Sequence, residues 1–456
     1  DARRILSALA GPDFRGRDPF TPDYAAAAGY VVAEMRALGL EPAGDSGSYF
    51  QRFNLARVRV IPDSVWLTSA DGTLRLSIGR DFSLGAGFDF DYAPDVVFVR
   101  LPPGSTAQDV PADRLAGKWV VLSPDSFGAR EAVLALLRSG FAFIIVPQDS
   151  AGPPATFTVA EGTRDPRTQG HGQPSFSYQG AARLAAACSA RAWLAANAAA
   201  PTFEPCGQPL RLRGAVTTIS LYPTVNVVGR IPGADASWKD EAVVIGAHLD
   251  HLGPGPEGIR YGADDNASGV TGALLIARGI VSNPVKPKRS VIIGIWSAEE
   301  LGTLGSLYYS RHPAVPLERT VAYLNLDMVG RDEDDPRFNE RPEDNRTGIY
   351  FGSVPLNSAD LHRLLQEANA YVGLEEKRDH EDRTERSDTR NFVFHRVPTL
   401  KAFTGEHPDY HGPADTPDKI NYAKLTNVAK WLYLATEELA CRPARPRFER
   451  KAFTGP

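Results

Sequence analysis

The segments EAVVIGAH (residues 241–248) and SGVTGALLIARGIV (residues 268–281) decide the fold class. The first is a nearly unbroken apolar run of strand length, which favours a strand buried on both faces. The second has the length and composition of a helix. A buried strand followed by a helix is the repeating unit of a sheet covered by helices.

The same alternation of strand and helix continues along the chain to residue 440. It predicts an α/β fold with a mostly parallel central sheet and helices on both faces. The further predicted strands are RSVIIGIWSA (289–298), TVAYLNLDM (320–328), GIYFGS (348–353) and PTLKAF (398–403). The further predicted helices are TLGSLYYSRH (303–312), SADLHRLLQEANAYV (358–372) and NYAKLTNVAKWLYLATEELA (421–440).

The region between residues 56 and 215 has a different pattern. Its first part is rich in β-branched and aromatic residues with turn signals between them, and its second part alternates short strands and helices. We therefore predict that residues 1–55 and 216–442 form one domain. Residues 56–215 form an inserted β-rich α/β domain, and residues 443–456 form an irregular tail.

Composition excludes several classes of protein. The chain has 456 residues, 43% of them hydrophobic and 23% charged, with a net charge of −5, as in ordinary globular proteins. No block of Lys and Arg is present, so neither nucleic acid nor an anionic membrane is expected as a partner. No apolar run approaches the ~18 residues that favour a membrane-spanning helix.

The cysteines and the start of the chain bear on its location. Cys188, Cys206 and Cys441 lack the spacing of a thiolate metal site. Cys188 and Cys206 form a disulfide if the protein is exported, and all three thiols pack unpaired in the alternative case. The sequence begins at Asp1 without an apolar leader, so we expect either a removed leader, which favours export to the periplasm or the medium, or a trimmed chain.

Carboxylates and histidines follow the predicted strands where each strand ends. In open α/β sheets, ligands bind outside the carboxyl ends of the strands, so these side chains are expected to converge. Imidazole and carboxylate groups are typical ligands of catalytic zinc, and two zinc ions side by side need a bridging carboxylate. The segments are His248-Leu249-Asp250, Asp264-Asp265-Asn266, Glu299-Glu300, Asp327 and His411.

Five motifs around these residues resemble, in order and spacing, the co-catalytic zinc aminopeptidase family, which also contains glutamate carboxypeptidase and glutaminyl cyclase relatives. Residues 56–215 resemble, in pattern only, the protease-associated domain that many members insert. The resemblance implies the zinc exopeptidase fold and an aminopeptidase that acts on peptides. The motifs are VVIGAHLDHLG (243–253), YGADDNASGV (261–270), SAEELGTLGS (297–306), LNLDMVGR (324–331) and DYHGPADTPDKINY (409–422).

The resemblance also implies a role for each residue. His248 and Asp327 bind one of two zinc ions per chain, Glu300 and His411 bind the other, and Asp265 bridges them. Glu299 acts as the general base, and Asp250 orients His248 through the second ring nitrogen.

Several points remain open in the sequence. His251 is expected to support the site, face the substrate or pack in the core. Family members often have Ser-Asp-His where this chain has Ser387-Asp388-Thr389, which puts the shape of the nearby pocket in doubt. A carboxypeptidase is an alternative, because Arg331 or Arg390 would hold a terminal carboxylate. A one-zinc glutaminyl cyclase and a non-catalytic receptor-like relative are weaker alternatives.

Overall fold

The computed structural model of the protein describes most of the chain. The described residues are 1–84, 89–115, 117–137, 143–145, 147, 155–159, 175–195, 199–332, 345–377 and 387–449. Two compact units are present. The first consists mainly of Asp1–Leu55 and Tyr222–Lys451, and the second mainly of Ala56–Thr158 and Thr163–Leu221.

The first unit contains the sheet that the apolar segments predicted. The sheet has ten strands. Those from Val216 onward are, in chain order, β1 (Val216–Ile231), β2 (Ala242–His248), β3 (Ser290–Trp296), β4 (Thr320–Leu326), β5 (Gly348–Gly352), β6 (Glu375–Lys377) and β7 (Thr399–Phe403). They lie in the order β1-β3-β2-β4-β7-β5-β6. Strands β3, β2, β4 and β7 run parallel to one another, while β1 is antiparallel to β3 and β5 is antiparallel to β7. The predicted mostly parallel α/β fold is confirmed.

Helices cover this sheet on both faces. Alternate side chains of a strand therefore pack in two different hydrophobic cores, one on each face of the sheet. Val243 and Ile245 pack in one core with the helices Gly269–Ser282 and Tyr422–Cys441, and Val244 packs in the other. The remaining α-helices of at least six residues in the described part of this unit are Ala2–Leu9, Pro22–Ala37, Leu304–Arg311, Ala359–Asn369 and Thr389–Phe394.

The second unit mixes two four-stranded sheets with short helices. One sheet joins Thr202–Pro205, Val96–Arg100, Trp119–Leu122 and Phe143–Ile145, and the other joins Arg75–Ser77, Trp66–Ser69, Leu210–Gly214 and Phe90–Tyr92. The helices include Arg130–Leu137 and Tyr178–Ala187. This content matches the predicted β-rich α/β character of the region, while its likeness to a protease-associated domain stays a prediction.

A disulfide joins Cys188 and Cys206 in the second unit, so the paired alternative for these cysteines is the one observed. Cys441 is a free thiol. In the described part of the chain, no helix is both long enough and apolar enough to cross a bilayer. The predicted irregular tail has neither helix nor strand over residues 443–449, and residues 450–456 lie outside the described ones.

Candidate metal centre

The residues predicted at strand ends converge at one edge of the sheet. His248 is the last residue of β2, Asp327 follows β4 directly, and Glu299 and Glu300 follow β3 by a short bend. Parallel strands end at a common edge, so these side chains meet although they are distant in sequence. The loop before helix Gly269–Ser282 adds Asp265.

His248, Asp265 and Asp327 form the first group of possible ligands. His248 Nε2 lies 3.3 Å from Asp265 Oδ1 and 3.5 Å from Asp327 Oδ1. All three residues are buried, and their ligand atoms lie close enough together to hold a metal ion.

His411, Asp265 and Glu300 form the second group. His411 Nε2 lies 3.2 Å from Asp265 Oδ2 and 3.2 Å from Glu300 Oε2. Asp265 therefore presents one carboxylate oxygen to His248 and the other to His411. Its two oxygens thus face different histidines.

These distances fit a metal centre better than a set of hydrogen bonds. Ligands ~2.0–2.2 Å from a tetrahedral metal ion lie roughly 3.3 Å from one another, and the four nitrogen-to-oxygen distances above are 3.2–3.5 Å. His411 Nε2 is buried and has no hydrogen-bond partner among the described residues. A buried imidazole nitrogen between two carboxylates is well placed to bind a cation.

His251 lies beside the second group and could compete with His411 for the role of ligand. Its Nδ1 is 2.8 Å from Glu300 Oε1, an ordinary hydrogen bond, and 3.7 Å from Asp265 Oδ2. His251 forms a possible ligand group with Asp265 and Glu300. His411 Nε2 is equally distant from oxygens of Glu300 and Asp265, at 3.2 Å, and its role as a ligand stays a prediction. His251 holds Glu300 through its other oxygen, which agrees with one of the roles left open by the sequence.

The carboxylate of Asp250 contacts the backbone of both glutamates. Its Oδ1 accepts a hydrogen bond from Glu299 N at 3.0 Å, and its Oδ2 accepts one from Glu300 N at 3.2 Å. His248 Nδ1 lies 3.1 Å from the backbone oxygen of Asp250 but 3.9 Å from its carboxylate. The backbone oxygen of Asp250 is thus nearer to the His248 ring than the carboxylate is, and the orienting role of that carboxylate stays a prediction.

The loop that carries Asp265 is held from two sides. Asp415 accepts hydrogen bonds from the backbone amides of Asp264 and Asp265 at 3.0–3.1 Å. Gly262 has a φ of +59°, and a side chain there would lie 2.1 Å from the backbone oxygen of Asp265. Asp264 Oδ1 accepts from Gly330 N at 2.7 Å, so within the pair Asp265 is the residue at the cluster.

Arg17 is a supporting residue that the sequence did not reveal. Its side chain is fully buried and donates hydrogen bonds to four backbone oxygens: Leu9, Leu249, Tyr261 and Gly262, at 2.6–2.8 Å. Leu249 adjoins His248, and Gly262 is three residues before Asp265. One guanidinium thus holds the backbone on both ligand loops.

The outer oxygen of Asp327 is also engaged. Ser387 Oγ donates to Asp327 Oδ2 at 2.7 Å, and Lys401 Nζ lies 3.0 Å from the same oxygen. Asp327 Oδ1 is left facing His248. Ser387, part of the segment that departs from the family pattern, is therefore a residue of the site.

Burial and charge set the protonation of the ionisable groups. Burial alone raises the pKa of the Asp265 carboxyl, but the imidazoles of His248 and His411 hold that pKa well below its usual range. Burial lowers the pKa of His411, yet the carboxylates of Asp265 and Glu300 raise it to about 10. Burial raises the pKa of Glu299 well above its usual range; the His248 imidazole opposes this shift.

A pocket opens onto the cluster. Outside the metal-site residues it is lined by Met328, Tyr350, Gly352, Ser353, Lys401, Phe403, Glu406 and Tyr410. Arg331 is buried and pairs with Asp409 at 2.8 Å, and neither it nor Arg390 is among the described residues that line the pocket. Lys401, and neither of these arginines, is the cation among the described residues that line this pocket.

Residues 226–436 match the model of Peptidase family M28. The family resemblance predicted from the motifs is thereby confirmed. Leucine aminopeptidase 2 of Arthroderma otae is 28% identical over 251 residues, which are 49% of this chain and 47% of the relative. The chain thus matches about half the length of the curated relatives.

Two solved structures share the fold over nearly the whole chain. The aminopeptidase of Aneurinibacillus sp. strain AM-1 is 21% identical with a TM-score of 0.51, and the alignment covers 99% of this chain and 95% of that one. The zinc aminopeptidase of Bacillus subtilis is 18% identical with a TM-score of 0.52, covering 99% and 98%.

Proposed function

We propose that this protein is a zinc-dependent aminopeptidase that removes amino-terminal residues from peptides. The observation that carries the proposal is the placement of Asp265, whose two oxygens face His248 and His411 separately. His248 and Asp327 would hold one zinc ion, Glu300 and His411 the other, and Asp265 both. Imidazole and carboxylate donors suit zinc, and the sharing of one carboxylate implies two ions.

Zinc bound here would supply Lewis acidity to the scissile carbonyl and to an attacking water. Glu299 is the general base: it takes a proton from that water and returns it to the departing amine. Asp250 fixes the backbone of Glu299 and Glu300, so that base and ligand keep their relative positions. The pocket walls at Tyr350 and Phe403 exclude water and receive a substrate side chain.

The preference for a free amino terminus rests on the relatives, which are named as aminopeptidases. The test is one peptide in two forms, acetylated at the amino end or amidated at the carboxyl end. We expect cleavage of the amidated peptide and no cleavage of the acetylated one. The reverse outcome would establish the carboxypeptidase alternative, for which Lys401 supplies a cation in the pocket.

The two remaining alternatives, a glutaminyl cyclase and a receptor-like protein, differ from an aminopeptidase in the number of zinc ions or in the reaction catalysed. A glutaminyl cyclase would use one zinc ion and convert amino-terminal glutamine without cutting the chain. A receptor-like relative would cleave nothing, yet every predicted ligand position and the base are retained here. We further propose that the protein is exported, because the Cys188–Cys206 disulfide suits an oxidising compartment.

A further inference from the structure

Lys401 occupies an unusual position for a lysine. It lies in strand β7, opposite Asn325 of β4 and Gly352 of β5. Only 12% of its side chain is exposed, and it is the only lysine or arginine among the described residues that line the pocket. A cation is therefore enclosed where the substrate binds.

The partners of Lys401 leave room for a ligand. An ammonium group has three N–H donors. The carboxylate oxygen of Asp327 lies 3.0 Å from Nζ and takes one of them, and the ring of Phe403 faces the charge at 4.4 Å. Asp327 turns its other oxygen to His248, so a bound metal ion would compete for its negative charge. An anionic ligand would then complete the pairing of Lys401.

We propose that Lys401 binds a carboxylate of the peptide substrate and makes the enzyme prefer acidic substrates. This inference rests on the proposed peptidase function. The carboxylate comes either from an Asp or Glu side chain at the amino-terminal residue or from the free carboxyl end of a short peptide. In both cases a charge-assisted hydrogen bond forms in a site with little water, where such bonds are strong.

Glu406 lines the same pocket, so the pocket contains a carboxylate as well as the ammonium group of Lys401. Its carboxylate would repel an anionic ligand that lay beside it. The bound carboxylate is therefore expected near Lys401 Nζ and away from the Glu406 carboxylate. The variant Glu406→Gln removes this repulsion, so it is expected to strengthen the preference for carboxylate substrates.

The experiment uses the zinc-loaded full chain and substrate pairs that differ only in carboxylate or amide. One pair has amino-terminal Glu or Gln, and the other is a dipeptide with a free or amidated carboxyl end. Wild type is expected to have the higher kcat/KM for the carboxylate member of one pair, which identifies the source. Lys401→Gln should reduce that preference roughly 10- to 100-fold, the range for a hydrogen bond to a charged group. Lys401→Arg should keep most of it.

Ser387→Ala is the matched control, since it also removes a partner of Asp327 Oδ2 but leaves the pocket cation. It should lower kcat/KM for both members of a pair by the same factor. Calorimetry with free glutamate and glutamine, or with a free and an amidated product, measures the same preference without turnover. Zinc content is measured for every variant.

The outcomes separate the two proposals. If Lys401→Gln lowers kcat/KM equally for carboxylate and amide substrates, Lys401 acts only through Asp327 and the inference is wrong. The same holds if wild type shows no carboxylate preference, or if the calorimetric preference survives in Lys401→Gln. If zinc-loaded wild type cleaves neither member of any pair nor longer peptides, the proposed peptidase function itself fails.

Discussion

The carboxylate of Asp250 accepts a hydrogen bond from the backbone amide of Glu299, with 3.0 Å between Oδ1 and N. The neighbouring amide, of Glu300, is held by the same carboxylate. The backbone amides of the proposed general base and of the proposed zinc ligand therefore donate to the same carboxylate. Their backbone positions are fixed together, while their side chains face different partners.

This arrangement predicts different failures for the two glutamates. Glu299→Gln keeps the shape but removes the proposed base, so kcat should fall ~10²–10⁴-fold while zinc stays bound. Glu300→Gln replaces a carboxylate ligand by a neutral amide, so zinc affinity should fall along with activity. Metal analysis and steady-state kinetics on both variants test this. Near-normal turnover or loss of zinc in Glu299→Gln would contradict the assignment.

The second prediction concerns metal content. The two groups of ligands that share Asp265 should hold about two zinc ions per chain, and chelation should abolish activity until zinc is restored. Mass spectrometry of the native protein and elemental analysis give the count. Fully active protein with one zinc ion would favour the cyclase alternative.

Arg17 provides the third prediction. Arg17→Met removes four hydrogen bonds to the backbone of the ligand loops, and supporting residues of metal sites typically contribute 10- to 100-fold to affinity. We expect a loss of zinc affinity of about that size and altered visible absorption of the cobalt-substituted protein. Arg260→Met is the control, because Arg260 binds backbone oxygens of residues 252–254, farther from His248. Equal loss in both variants would exclude a specific role for Arg17.

The fourth prediction concerns pH and the second unit. Burial opposes ionisation of Asp81, but the Ser77 amide and two arginines hold its pKa below the ordinary value of 3.8. A lowered pKa stabilises the fold above the unfolded-state pKa, and this contribution is lost as the pH falls below about 4. Asp81→Asn should therefore destabilise the fold by about 1–3 kcal/mol near pH 7, and progressively less as the pH falls below about 4.

Hydrogen exchange in the helix Tyr178–Ala187 gives a local measure of this effect, because Asp81 O accepts from Ser177 N at the start of that helix. Asp91→Asn is the control. Asp91 pairs with Arg211 at 2.6 Å on the surface, where an ion pair contributes little. A pH-independent effect of Asp81→Asn would argue against the ionised carboxylate as its cause.

The sheet and the ligand candidates could be predicted because both have local signals. An apolar run that ends in a histidine or carboxylate, as at His248 and Asp327, indicates a buried strand and a polar residue at its end. The resemblance to the aminopeptidase family then separates Asp265 from Asp264. A local sequence pattern is sufficient to predict the role of a residue when that role depends only on its position in one strand or helix.

The supporting residues could not be predicted in this way. Lys401 stands inside an apolar strand, where a lysine usually indicates an exposed face, and only the neighbours on β4 and β5 enclose it. The carboxylate of Asp250 binds amides 49–50 residues away, and this depends on how two loops pack. Such contacts arise from tertiary structure and leave no periodic signal.

The contact between Arg17 and Leu249 spans 232 residues of chain. Closing so long a loop is costly in entropy, so this bond forms only when distant parts of the first unit have already met. Tight zinc binding should then appear late in refolding, together with that docking. The zinc affinity measured during refolding would thus indicate whether the segment that contains Arg17 has docked onto the ligand loops.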